Sequence, residues 1–417
     1  VKHPDLAVPF RGERFAAAGR LSRLIAPPYD VISTAERARY AAQDAHNIVH
    51  IMLPEAASQA GDPYARAAEL LARWRSDGTL ACDSEPAVYV LAQDFALPSG
   101  ERRTRVGAFV ALAAEGYEPR RVRPHERTHA GPKADRLALL RATRTSIESI
   151  LVIAPDTDGR LTAALRAVTA TPPAAAAELA GVGMRLWMAA AGAEATRLAE
   201  LVRAPLYIAD GHHRYETAST FAREQPGGAR LLALVVSARD EGLAVLATHR
   251  VIRGAPMAPE ELARGWRLHF EVTDLPPGSD AAAHLAGLGL DRTGCVVVWP
   301  GGRAMALARR AGLAQPGEVA VATIDALVVQ PITRRAGTAE LIYTPDAQEA
   351  AAAARQGGAA AAVLLNPTRI EEVFTVADAG GIMPPKSTYF VPKVPAGLVL
   401  MASDGRTGGP ERARRSD

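Results

Sequence analysis

The sequence predicts an α/β protein built on a mixed sheet, and three observations carry that prediction. Residues 205–223 (PLYIADGHHRYETASTFAR) begin as an apolar run, break at Asp210-Gly211 and resume with helical spacing through Tyr215, Ala218 and Phe221. That pattern is strand, tight turn, helix. Residues 87–96 and 104–113 are two strand-like runs, and the Pro-Ser-Gly between them suits a hairpin. Beyond Ala255, helix-like and strand-like segments alternate.

Taken in order, residues 8–12 and 24–33 contain prolines and read as extended, while 34–44 reads as a short helix with Thr34 near its cap. Residues 46–54 (HNIVHIMLP) read as a strand, and 64–78 as an amphipathic helix with Leu70, Leu71 and Trp74 on one face. A helix is expected from about Lys133 through Leu137, Leu140 and Arg144. Strands are expected at 149–154, 183–189 and 231–237, a helix at 193–203, and a loop or helix start at 171–177. A final helix at 367–379 ends at Gly380-Gly381.

The 417 residues suffice for two or three domains. The expected division is a core over 1–255, a smaller lobe or insertion over 256–320, and a part over 321–403 that returns to the core. The Gly/Arg-rich tail 404–417 is expected to be disordered.

A net charge of +3 gives no electrostatic case for nucleic acid or anionic membrane as the main partner. No apolar run approaches 18 residues, and Cys82 and Cys295 suggest neither a disulfide framework nor a zinc site. A cytoplasmic enzyme or binding protein is the expectation, with a small-molecule partner and homodimerisation left open.

The chemistry concentrates in three motifs. In the first, Asp210, Gly211, His212, His213 and Arg214 sit at the start of a helix, whose unpaired N–H groups favour anions. The second, residues 124–144, carries His125, Glu126, Arg127, Lys133, Asp135 and Arg136 around a second helix start. Its His125-Glu126-Arg127-Thr128-His129 matches H-E-x-x-H, but Pro124 and Gly131-Pro132 deny it the continuous helix that zinc chemistry needs. The third, residues 383–399, sets Lys386, Ser387, Thr388 and Lys393 among prolines. Only four of the 48 basic residues are lysines (Lys2, Lys133, Lys386 and Lys393), and three of them fall in these motifs. An ammonium is a compact point charge that arginine does not replace.

PHERT with Lys133-Ala134-Asp135-Arg136-Leu137, then YIADGHHRYETA, THRV and MPPKSTYFVPK, resemble one family. It is the bacterial and archaeal domain-of-unknown-function family numbered one thousand and fifteen. The likeness runs from Phe10-Arg11-Gly12 and Pro27-Pro28-Tyr29-Asp30-Val31 to Leu398. The family name implies no activity. Residues 210–218 are also similar to the G-x-x-R-x-x-A box of the ParB/sulfiredoxin superfamily, carried by Gly211, His213, Arg214 and Ala218. That superfamily includes partition proteins that bind CTP, sulfiredoxins that use ATP and kinases of free serine. The resemblance implies a ParB/sulfiredoxin-like nucleotide-binding core. His212 stands where sulfiredoxins place a cysteine, so sulfinic-acid repair is not expected.

The leading expectation is a phosphotransferase using ATP or ADP with Mg2+, acting on the hydroxyl of a small metabolite such as serine. Gly211, His213, Arg214, Lys133, Arg136 and Arg127 would hold phosphate. Asp210, His212, Glu126, His125 and Lys386 would be catalytic, Asp210 and Glu126 doubling as metal ligands. Ser387, Thr388, Lys393 and Tyr29 would contact substrate. Two alternatives stay open: a metal-dependent hydrolase or phosphatase on His125, Glu126, Asp210, His212 and His213, and a nucleotide-sensing protein without turnover.

Overall fold

The computed structural model describes residues 5–55, 61–128, 130–189, 192–225, 229–314, 317–337 and 340–403. His129 and the tail 404–417 lie outside them. The chain forms two units, one of residues 1–243 with 392–417 and one of residues 244–391.

In the first unit, helices α1 (Thr34–Gln43) and α2 (Pro63–Ser76) precede the hairpin of β1 (Val88–Ala96) and β2 (Arg102–Ala113). There follow β3 (Val122–Arg123), α3 (Ala130–Thr143), β4 (Ile150–Ala154), α4 (Arg160–Thr169), β5 (Ala175–Leu179) and β6 (Val182–Ala189). Then come α5 (Ala193–Glu200), β7 (Leu206–Asp210), α6 (His212–Glu224) and β8 (Arg230–Ser237). The strands make a mixed sheet in the order β3-β7-β4-β8-β2-β1-β6-β5. β7 is parallel to β3 and antiparallel to β4, while β8 is parallel to β4. Central strands such as β4 (ILVIA) are buried along their whole length, as an unbroken apolar run predicts for a strand covered on both faces. Their inward residues, Val90, Val110, Val152, Ile208 and Val235 among them, form one core with Tyr215 and Ala218 of α6.

The second unit contains β9 (Ala244–Leu246), β10 (His249–Arg253), α7 (Pro259–Trp266), β11 (Phe270–Asp274), α8 (Ala281–Gly287), β12 (Gly294–Val298) and β13 (Ala304–Arg309). It continues through β14 (Glu340–Thr344), α9 (Ala347–Arg355), β15 (Ala361–Leu365), α10 (Ile370–Asp378) and β16 (Tyr389–Val391). Six strands form a separate sheet in the order β11-β13-β12-β15-β10-β14, and β9 pairs with β16. Among the described residues, no helix is long and apolar enough to cross a membrane.

Two expectations need correction. Residues 46–54 are not a strand. Asn47 Oδ1 accepts from the Val49 backbone N–H at 2.9 Å and starts the short helix Val49–Met52. Residues 175–179 form β5 rather than a loop, because pairing with β6 overrides the weak strand propensity of alanine. Of the part expected over 321–403, residues 321–391 fall in the second unit and 392–403 in the first. β14 and β15 both pair with β10, in the sheet of six strands drawn from 249–365.

Candidate functional site

β7 delivers Asp210 to the edge of the core, and α6 starts two residues later. Gly211 makes the turn at φ 92°, in the left-handed region. A Cβ there would lie 2.8 Å from Ile150 Cγ2 and 3.1 Å from the Arg214 guanidinium. Glycine is therefore demanded by backbone and packing together. Among the described residues no side chain caps this helix start, nor those of α4, α5 and α7, whereas Ser33, Asp62, Asp280 and Asp346 cap α1, α2, α8 and α9.

Two cations close on Asp210. Arg214 Nη2 donates to Oδ2 at 2.6 Å, one helical turn on, and Lys393 Nζ donates to Oδ1. Burial alone would raise the Asp210 carboxyl, but the Lys393 and Arg214 charges hold it far below the usual carboxylate range. Burial works against the Arg214 charge, and the Asp210 and Glu148 carboxylates more than offset it, so its pKa is raised. Arg214 also donates to the Ser149 carbonyl.

Beside this group lies a pair of buried imidazoles. His125 and His212 meet edge to face with centroids 4.8 Å apart. The His125 backbone N–H points at His212 Nε2 at 3.4 Å, and His212 Nδ1 lies 3.9 Å from Glu126 Oε2. Burial pushes His125 down to about 4 and lowers His212 as well, the latter helped by His125. Both rings are neutral at pH 7. Residues 124–128 are non-helical, so the H-E-x-x-H match is not seated on a helix.

The second motif reaches α6 from α3. Lys133 Nζ donates to Glu216 Oε2 at 2.8 Å, and Thr128 Oγ1 donates to the same oxygen at 2.7 Å. Arg136 is otherwise engaged. It donates to Asp135 and to the Met52 carbonyl, and its guanidinium lies 4.4 Å from the centroid of the Tyr29 ring. The Tyr29 backbone N–H donates to Glu148 at 2.9 Å, and burial and then Asp30 push the Tyr29 phenol up to about 12. Arg127 is exposed and His213 half-buried.

In the third motif only Lys393 belongs to the first unit. Lys386, Ser387 and Thr388 belong to the second. Lys386 is exposed, with φ 55°. Ser387 is buried and used internally, since its Oγ donates to the Pro384 carbonyl at 2.6 Å and its own carbonyl accepts from Thr368.

Sequence reading missed Glu148, Glu216, Gln93 and Arg105. A hairpin register would have found the last two, which sit opposite each other on β1 and β2. The box also needs correction. Counting from Gly211, its seventh position holds Thr217, and Ala218 falls one residue beyond.

Among the described residues no group of three His, Cys, Asp or Glu side chains is placed to hold a metal. Asp210 fits magnesium poorly, because a cation occupies each of its oxygens.

Among solved structures, a conserved hypothetical protein from Pyrococcus furiosus is similar at 14% identity and TM-score 0.36, covering 70% of this chain and 93% of that one. A free serine kinase in complex with AMP is similar at 13% identity and TM-score 0.39, covering 72% and 93%. SbnI from Staphylococcus aureus, truncated at its C-terminus, is similar at 11% identity and TM-score 0.39, covering 74% and 90%. No curated protein matches the sequence. Residues 7–327 match the family described as Protein of unknown function (DUF1015), and the chain belongs to it.

Proposed function

We propose that the first unit binds ATP or ADP and transfers a phosphoryl group to the hydroxyl of a small metabolite, free serine being the first to test. The observation that carries the reading is the start of α6, which is entered through a left-handed glycine, is flanked by Lys393 and Arg214 and has no side-chain cap among the described residues. Backbone N–H groups and a helix dipole at such a turn suit a phosphate. Phosphoryl transfer asks mainly for positioning and for positive charge around the migrating group.

In this scheme the phosphates rest on the N–H groups of the first turn of α6. Lys393 moves from Asp210 toward the phosphate as the anion arrives, and Arg214 stays on Asp210 and keeps the turn in place. Glu126, 39% exposed and facing His212, orients the acceptor hydroxyl. The chain's own cations, Lys393 foremost, supply the positive charge assigned here.

The test is a thermal-shift series with ATP, ADP and AMP, with and without Mg2+, followed by 31P NMR of ATP incubated with serine and other small hydroxyl compounds. A nucleotide at 100 times its Kd stabilises by about 2.7 kcal/mol. Binding with a new phosphoester signal supports the proposal. Binding without transfer leaves a nucleotide sensor, and transition-metal-dependent release of inorganic phosphate replaces it with the hydrolase. No stabilisation by any nucleotide ends it.

A further inference from the structure

Two polar side chains lie buried in the large sheet outside every sequence motif. Gln93 on β1 and Arg105 on β2 are each 1% exposed and directly opposite in the antiparallel register. Arg105 Nη2 donates to Gln93 Oε1 at 2.5 Å and to the Pro392 carbonyl at 2.6 Å. Gln93 Nε2 donates to the Lys393 carbonyl at 3.1 Å. The two peptide groups that flank the Lys393 Cα are thus both held from the sheet, and the side chain leaving that Cα ends on Asp210.

Anchoring the returning chain does not require this arrangement. The segment after Lys393 is already tied by backbone bonds between Ala396 and Ala26, between Leu400 and Glu13, and from Ser403 to Arg144. A buried guanidinium is a costly anchor. Burial pushes Arg105 down to about 10, against the attraction of Asp240 and Asp210. What Arg105 and Gln93 add is control of two consecutive carbonyls around one lysine.

We infer that Arg105 and Gln93 are positioning residues that fix the Lys393 backbone so that its ammonium meets the Asp210 carboxylate. They act through Lys393 and touch no substrate. The inference bears on the proposed phosphate site, but it rests on hydrogen bonds present without any ligand.

The four-lysine composition makes it testable on the full chain without nucleotide. Each lysine is labelled by reductive methylation with formaldehyde and its rate read by peptide mass spectrometry. In the wild type, Lys393 should be the slowest and the exposed Lys386 fast. In Gln93→Met and Arg105→Met the Lys393 ammonium loses its carboxylate. Its rate should rise several-fold, because the amine no longer rests against Asp210 and is open to the reagent. Lys133, bound to Glu216 on α6, should not change. An unchanged Lys393 rate in folded variants overturns the inference, as does a parallel rise at Lys133. If Arg105→Met does not fold, Gln93→Met, which keeps every charge, decides. If neither folds, the pair serves folding rather than the placement of Lys393, and the inference fails. A failed phosphotransfer assay leaves this result standing, so the two readings fail separately.

Discussion

Asp210 and Asp325 are a matched pair of partly buried carboxylates, one in each unit, each beside a buried arginine. Their side chains are 16% and 21% exposed. Asp210 is driven below the carboxylate range and Arg214 is raised. Burial instead raises the Asp325 carboxyl and lowers the Arg250 guanidinium. The difference is contact. Asp210 accepts hydrogen bonds from two cations, whereas Arg250 Nε stops 3.8 Å from Asp325. Arg250 Nε and Nη2 have no hydrogen-bond partner among the described residues. Desolvation acts on both pairs, and only short, charge-assisted bonds reverse its sign.

The largest test of that contrast is removal of each carboxylate. Asp210→Ala leaves Lys393 and Arg214 facing one another and should destabilise the first unit by about 3–5 kcal/mol, the range for breaking a buried pair. Asp325→Ala removes a partner that was never hydrogen-bonded and should cost about 1 kcal/mol or less. Urea unfolding of both variants decides. Equal losses would show that burial, not contact, sets the energetics at both places.

Next in size is an acid transition common to both units. His125 and His249 are each 4% exposed or less, and burial pushes both down to about 4. The unfolded chain takes up these protons near pH 6.5, before the folded one does. Stability from each is therefore complete above 6.5 and is lost as pH falls toward 4, by about 3 kcal/mol per histidine. The Asp210 contribution has a different window. It holds above the unfolded carboxyl value near 3.9 and is lost only as pH falls further. Unfolding free energies at pH 7, 5.5 and 4.5 for the wild type, His125→Gln and His249→Gln should show each folded variant with a flatter profile. A wild type equally stable at pH 7 and 4.5 would mean that neither ring is held neutral.

These interactions were unequally legible in the sequence. The 205–223 pattern fixed β7, Gly211 and α6, because an apolar run broken by a glycine has few other solutions. Composition singled out Lys393, since lysine is so rare here. Glu148 gave no local signal, and the hairpin register shows only that Gln93 faces Arg105. Each acquires its meaning through a partner far away in the chain, Tyr29 for one and Lys393 for the other. The placement of 321–391 was equally hidden, because strand pairing across 87 residues or more leaves no mark on local periodicity.

A smaller effect distinguishes unpaired hydroxyls. Thr248 near Arg250 and Thr217 on α6 are buried, and neither Oγ1 has a hydrogen-bond partner among the described residues. Valine keeps the shape and removes a polar group that receives no compensation. Thr248→Val and Thr217→Val should each be neutral or stabilising, by up to about 1 kcal/mol in thermal unfolding. A clear loss at Thr217 would mean that its hydroxyl is bound in solution, and the α6 network would then extend further than Asp210 and Glu216.

The smallest expected effect on stability is the most useful for function. Lys133 and Glu216 form a 2.8 Å pair with side chains 36% and 26% exposed. Water screens such a pair, so a double-mutant cycle with Lys133→Met and Glu216→Gln should return a coupling of only about 0.2–1 kcal/mol. Nothing in folding then explains why one of four lysines sits at the start of α3, against the helix that carries the proposed phosphate turn. If Lys133 serves a bound anion, Lys133→Met should leave the melting temperature without ligand nearly unchanged and reduce the stabilisation by ATP. A hydrogen bond to a charged group sets the affinity loss at about 1.5–3 kcal/mol. Lys133→Arg should restore part of it, since the charge returns in a wider, planar shape. A coupling well above 1 kcal/mol with undiminished ATP stabilisation would make Lys133 a strut between α3 and α6. The proposed site would then end at Lys393 and the first turn of α6.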